Sequence, residues 1–132
     1  MEYTELTTYR YERKFLVEEL NDQQVRMLIK LHPSMFKQTY PPRYVNNIYL
    51  DTPAMDYYYE NINGVPQRRK VRIRWYGNLF GEIHNPILEY KIKDGLVGTK
   101  ESYKLPGFRL NEAFDQGQFQ QTLAKGSPTL VN

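Results

Sequence analysis

Gln67-Arg68-Arg69-Lys70-Val71-Arg72-Ile73-Arg74-Trp75-Tyr76 alternates without a break. Successive side chains of a strand point to opposite faces, so Arg69, Val71, Ile73 and Trp75 share one face. Arg68, Lys70, Arg72, Arg74 and Tyr76 share the other. One face is close to apolar and the other intensely basic. The segment reads as a half-buried strand of an antiparallel sheet whose wet side concentrates positive charge.

Downstream, Asn78 to Asn85 reads as a loop and Ile87 to Lys93 as a second charged strand. Asp94-Gly95 then supplies a two-residue turn into Leu96 to Leu105. A type I′ turn pairs Lys93 with Leu96, which sets Lys91 opposite Gly98 and Glu89 opposite Lys100. Pro106-Gly107 ends that strand, Leu110 to Leu123 is weakly helical, and Gly126-Ser127-Pro128 opens a tail, so 106–132 forms a C-terminal segment of its own. Upstream, Tyr44 to Leu50 is a strand feeding a short helix, with Thr52 as its cap and Met55, Tyr58, Tyr59 and Ile62 as its apolar stripe. Asn21 and Gln24 make a capping box ahead of a helix over Asp22 to Leu31, which Pro33 stops. Tyr9 to Val17 alternates as a first strand, with Tyr9, Tyr11, Phe15 and Val17 opposite Arg10, Glu12, Lys14 and Leu16.

The 132 residues fit one domain, 1–132, without repeat or linker. No apolar run approaches the roughly 18 residues of a membrane span, and Met1 to Phe15 is too charged for a signal peptide. The absence of cysteine excludes a disulfide framework, a thiolate metal site and a cysteine nucleophile. A cytoplasmic protein with no membrane contact of its own is expected.

The net charge of +3 conceals a strong segregation. The polar faces of the four charged strands hold Arg10, Lys14, Arg68, Lys70, Arg72, Arg74, Lys91, Lys93, Lys100 and Lys104, ten of the 18 basic residues. They hold only Glu12 and Glu89 of the 15 acidic ones. Like charges about 5 Å apart repel by roughly 3 kcal/mol at an effective dielectric near 20. A face that repeats this repulsion is built for an anion, and arginine forks mixed with lysine point charges suit a polyanion. Glu12 and Glu89 read either as carboxylates facing a phosphate-bound Mg²⁺ or Mn²⁺ or as salt-bridge partners, Glu89 with Lys100 for instance. Nucleic acid is disfavoured, because Trp75, Tyr11 and Tyr90 fall opposite the charges and read as core. His32 and His84 have no partner spacing and read as structural or solvated. No Walker loop, HExxH motif or nucleophile elbow is present.

In order along the chain, Tyr9-Arg10-Tyr11-Glu12-Arg13-Lys14-Phe15-Leu16-Val17, Ile48-Tyr49-Leu50-Asp51-Thr52-Pro53, Lys70-Val71-Arg72-Ile73-Arg74-Trp75-Tyr76-Gly77 and Leu88-Glu89-Tyr90-Lys91-Ile92-Lys93 resemble the VTC domain. That domain is the polyphosphate polymerase branch of the triphosphate tunnel metalloenzymes, a CYTH-like superfamily. The resemblance implies an α+β fold: a mainly antiparallel sheet forming part of a triphosphate-tunnel β-barrel, with helices on its outer face. It implies a metal-dependent transferase that moves the γ-phosphate of ATP to a polyphosphate chain. By position, Arg10, Lys14, Arg72, Arg74, Lys91, Lys93 and Lys100 correspond to phosphate ligands, with Arg72, Arg74 and Lys91 at the reacting phosphates. Glu12 and Glu89 are the metal candidates, for Mn²⁺ or Mg²⁺.

The resemblance covers Tyr9 to Leu105, the first half of the family's domain, and five strands are counted where a closed tunnel needs eight. Self-association, or complementation by a C-terminal segment, is therefore expected. Triphosphate hydrolysis on the same face, and polyphosphate or inositol phosphate binding without turnover, are the alternative readings.

Overall fold

A computed structural model describes residues 9–125 and 129–130. The elements in chain order are β1 (Arg10–Tyr11), α1 (Asp22–Leu31), β2 (Val45–Leu50), α2 (Asp56–Ile62), β3 (Gln67–Tyr76), β4 (Gly81–Ile83), β5 (Ile87–Asp94), β6 (Val97–Lys104), β7 (Phe108–Leu110), α3 (Gln116–Lys125) and β8 (Thr129–Leu130). The chain parts into two compact units, Met1–Glu12 with Tyr44–Asn132, and Arg13–Arg43.

In the larger unit an antiparallel sheet runs β1-β6-β5-β3-β2, and β8 pairs with β6. Among the described residues this sheet is open. A separate two-stranded ribbon joins β4 to β7. The architecture is mixed α and β with a mainly antiparallel sheet, as the alternation predicts. β3 spans the whole alternating stretch, with Ile73 and Trp75 at 0% and 2% exposure. Full burial of such side chains is worth about 2–3 kcal/mol each. Around them pack Ile83, Leu105, Phe108, Leu110 and Phe119. Trp75 meets Phe108 edge-on at 5.9 Å, and Phe108 meets Phe119 at 5.2 Å. The β4–β7 ribbon and α3 thus cover the apolar face at the Trp75 end. The Trp75 indole N–H donates to the Asn78 carbonyl at 3.0 Å, so its polar edge is satisfied.

α2 lies on the same face toward the other end of β3. Glu60 accepts from the Arg69 backbone N–H at 2.9 Å and from its guanidinium, which also stacks on Tyr57. Asn61 donates to the Arg69 carbonyl at 2.9 Å. The inward side of α2 is therefore Tyr57, Glu60 and Asn61. The stripe of Met55, Tyr58, Tyr59 and Ile62 stays 45–60% exposed, contrary to expectation, because the ion pair with Arg69 sets the helix's rotation. Asp51 accepts from the N–H groups of Tyr57 and Tyr58, at 3.0 and 2.9 Å, and shares the capping role with Thr52, which accepts from Asp56 at 3.1 Å.

Several expected boundaries move. The first strand is two residues rather than nine. Tyr11 pairs with Val97, and the Glu12 N–H reaches the Leu96 carbonyl at 3.0 Å. The β5–β6 turn lies beyond, so residues after Glu12 have no strand left to pair with. Phe15, Leu16 and Val17 are accordingly exposed, as is Tyr11, which is not core. The hairpin turn is Gly95-Leu96, not Asp94-Gly95: Asp94 pairs with Val97, and Gly95 alone carries a positive φ, +58°. Glycine at the first central position is the type II′ pattern. Residues expected to be loop form β4, and the segment read as helical from Leu110 begins as β7 and turns helical only at Gln116. There Asp115 accepts from the N–H groups of Gly117 and Gln118 at 2.7 and 3.1 Å. Of the expected tail, Gly126-Ser127-Pro128 lies outside the described residues.

The smaller unit contains α1, bounded as the sequence predicts. Asn21 and Gln24 exchange side-chain-to-backbone bonds of 2.9 Å in the capping box. At its other end His32 accepts the Ser34 N–H at 3.1 Å, a structural role.

Candidate functional site: a cationic sheet face

Directly opposed residues of paired strands share a face, so the register orders the charged side into four rungs. Arg68, Lys93, Gly98 and Arg10 lie nearest the hairpin turn, followed by Lys70, Lys91 and Lys100. Tyr49, Arg72, Glu89 and Ser102 form the third rung, and Asn47, Arg74, Ile87 and Lys104 the last. Rungs are about 6.7 Å apart along the strands, and neighbouring strands about 4.8 Å apart. Nine of the ten cations singled out from sequence thus stand on one face. Lys14 does not join them in the sheet; it belongs to the Arg13–Arg43 unit. The expected pairings of Lys91 with Gly98 and Glu89 with Lys100 are each displaced by two positions. A two-residue shift keeps every side chain on its face, so the error in the turn leaves the grouping of charges unchanged.

Four of the nine cations are tied to the two carboxylates. Lys91 Nζ lies 3.0 Å from Glu12 Oε1. Glu89 is 2% exposed and takes three cations at once. Its Oε2 accepts from Arg72 Nε at 2.6 Å and its Oε1 from Lys100 Nζ at 3.2 Å, while Arg74 Nη2 forms an ion pair 3.0 Å from Oε1. Burial by itself would raise the Glu89 carboxyl, but the bonds and charges of Arg72 and Lys100 hold it below the ordinary glutamate range. Burial would likewise lower Arg72, and Glu89 reverses the direction. Arg10, Arg68, Lys70, Lys93 and Lys104 form no ion pair among the described residues.

Tyr49 was not singled out from sequence. It lies directly opposite Arg72 and, after Glu89, helps to raise the guanidinium's pKa. Only the β2–β3 register reveals this, since no spacing links residues so far apart. Arg74 stacks on Tyr76 at 5.1 Å, and its buried Nε has no acceptor among the described residues. An unpaired buried donor costs about 1–3 kcal/mol.

The residues fit a resident divalent cation poorly. No cluster of three His, Cys, Asp or Glu occurs among the described residues. Both Glu89 oxygens are occupied, and a metal there would meet three cations. Glu12 is more open, 37% exposed at its side chain, and could touch a metal that phosphates carry in. A cavity of about 480 Å³ beside α2, walled by Leu50, Met55, Tyr58, Ile62 and Val71, reaches the cationic face only through Tyr49 and Lys70. Of the donors on its walls, Arg69 is held by Glu60 and Asn61 donates to the Arg69 carbonyl.

No helix among the described residues is long and apolar enough to cross a membrane. A family model described as the VTC domain matches residues 9–130. No curated protein and no solved structure matches the chain.

Proposed function

The chain belongs to the VTC domain family, whose function is polyphosphate-related, and on that premise we propose that its cationic sheet face binds ATP or another triphosphate together with polyphosphate. One observation carries the reading: nine cations share a face with two carboxylates. The proposed reaction is in-line transfer. A terminal oxygen of the polyphosphate chain bonds to the γ-phosphorus of ATP, the bond from that phosphorus to the β–γ bridging oxygen breaks, and ADP leaves with the electron pair. Arg72, Arg74 and Lys91 hold the reacting phosphates and offset charge gathering on their oxygens. Arg10, Lys93 and Lys100 hold the rest of the chain, and Lys14 is retained as a further ligand on the family resemblance alone. A Mn²⁺ or Mg²⁺ brought by the phosphates would meet Glu12, and when bound supplies further charge neutralisation. The tunnel and the cytoplasmic setting are part of the same proposal; nucleic acid and membranes are not.

The sheet, open among the described residues, favours a second reading, binding without turnover, since water can reach such a face. Calorimetry with tripolyphosphate at low and high salt tests the common premise. Binding should weaken steeply with salt; equal binding of an uncharged nucleoside, or indifference to ionic strength, would sink it. Incubation with ATP and Mn²⁺ then separates polymer growth from free phosphate release and from binding without turnover.

A further inference from the structure

A negative charge at the centre of an anion site opposes the site's purpose. Glu89 occupies that place: it sits on β5 between β3 and β6, directly opposite Arg72 and Ser102 and diagonal to Arg74 and Lys100. It lowers the charge presented by its cluster from three to two. Paired buried charges are often no more stabilising than an apolar packing of the same volume, so stability alone does not explain the arrangement. What the carboxylate does supply is geometry. Arg72 and Arg74 are two residues apart on one strand and Lys100 is two strands away; without an anion among them these side chains repel and spread into solvent. With it, the Nε and Nη2 edge of Arg72 and the Nη2 of Arg74 are pinned.

We propose that Glu89 is a positioning residue, a fixed internal anion that holds Arg72, Arg74 and Lys100 in the arrangement that receives phosphate, and not a metal ligand. It acts through the cations, stays in place when phosphate arrives, and leaves their remaining N–H groups for the ligand. The proposal rests on the polyanion reading of this face.

The sign of one mutation separates this from simple electrostatics. Glu89→Gln removes a like charge from the site, so charge alone predicts tighter tripolyphosphate binding. Positioning predicts the reverse, a dissociation constant raised about tenfold, as for loss of one charge-assisted hydrogen bond. Calorimetry measures the constant, and circular dichroism checks that the variant is folded. Nitrogen-15 spectra of the arginine Nε–H groups supply the readout that a merely structural role would not move. Arg72 should show a resolved, slowly exchanging Nε–H in the wild type, with and without saturating tripolyphosphate, and an averaged one in Glu89→Gln. Tripolyphosphate binding by Glu89→Gln as tight as the wild type or tighter overturns the proposal. So does loss of the Arg72 signal when phosphate binds the wild type, a test that remains if the variant fails to fold. Mn²⁺ alone, followed by paramagnetic resonance, should stay free in the presence of the wild type; a Mn²⁺ site abolished by Glu89→Gln also overturns it. Failure of the wild type to bind tripolyphosphate would instead remove the polyanion reading beneath it.

Discussion

Arg69 and Arg72 lie three residues apart on β3 and on opposite faces, so their replacement by alanine should have opposite consequences. Arg72 gives its Nε and Nη2 edge to Glu89 and stands in the central rung of the cationic face. Its truncation removes one charge-assisted contact to phosphate, about 1.5–3 kcal/mol, or a roughly 10- to 150-fold weaker tripolyphosphate affinity. The fold should tolerate it. Stripping a buried charge of its partner costs about 3–5 kcal/mol, but Glu89 retains Arg74 and Lys100 at 3.0 and 3.2 Å, so the loss should be smaller. Arg69, by contrast, is committed to Glu60 and Tyr57 beneath α2. Arg69→Ala should lower the melting temperature by loosening α2 while leaving affinity within about twofold, the scatter of independent sites. Calorimetry and thermal melts on the two variants decide it. If Arg69→Ala weakens tripolyphosphate binding as much as Arg72→Ala does, the assignment of the ligand face is wrong.

Ile73→Ala should destabilise by about 2–5 kcal/mol, because the site is fully buried among Trp75, Phe108 and their neighbours; urea unfolding measures it. The Glu89 carboxyl is held below its ordinary range, so its contribution to stability is complete above the unfolded value of about 4.3 and disappears as pH falls through the lower folded value. Urea midpoints from pH 7 to pH 2 should therefore fall less in Glu89→Gln than in the wild type. The outer edge of β2 is unpaired among the described residues and bears the exposed Val45 and Tyr49. Self-association through such an edge should appear in light scattering as a mass above 15.8 kDa, and a strict monomer would refute it.

The sequence is most legible where its period is cleanest. β3 could be bounded to the residue because ten positions alternate without interruption, and α1 because Asn21 and Gln24 reciprocally cap it. β4 and β7 are three residues each, beside Gly77, Gly81 and Pro106-Gly107, too short for alternation to register; their pairing is a tertiary event. Tyr9 to Val17 carries a strand's pattern, but a strand also needs a partner, and the end of β6 supplies one for only two residues. Within the site, parity sorted the cations along each strand, and the register between strands is what brings nine of them to one face. Of the contacts at Glu89, the bridge to Lys100 was among the sequence readings; those to Arg72 and Arg74, and the placing of Tyr49 opposite Arg72, depend on which residues stand opposite, and no local signal encodes that.

The placement of the acids favours an anion site most strongly. The chain has 15 acidic residues, enough to pair with the cations of the sheet. Glu101 is on β6 itself, yet register places it opposite Tyr90 on the other face, where it accepts from Tyr103 at 2.7 Å. Glu60 is spent on Arg69 and Glu82 on Arg109, both away from the rungs. A sheet needing only a wet surface gains from alternating signs across its strands. This one opposes Lys70 to Lys91, Lys91 to Lys100, and Arg68 to Lys93. Glu12 on Lys91 and Glu89 on Lys100 offset part of the repulsion in those rungs, and under the proposed reading an anion with several charges at comparable spacing offsets the rest. Under the proposed reading a single carboxylate or monophosphate would answer one rung, whereas a phosphate chain would answer them in succession.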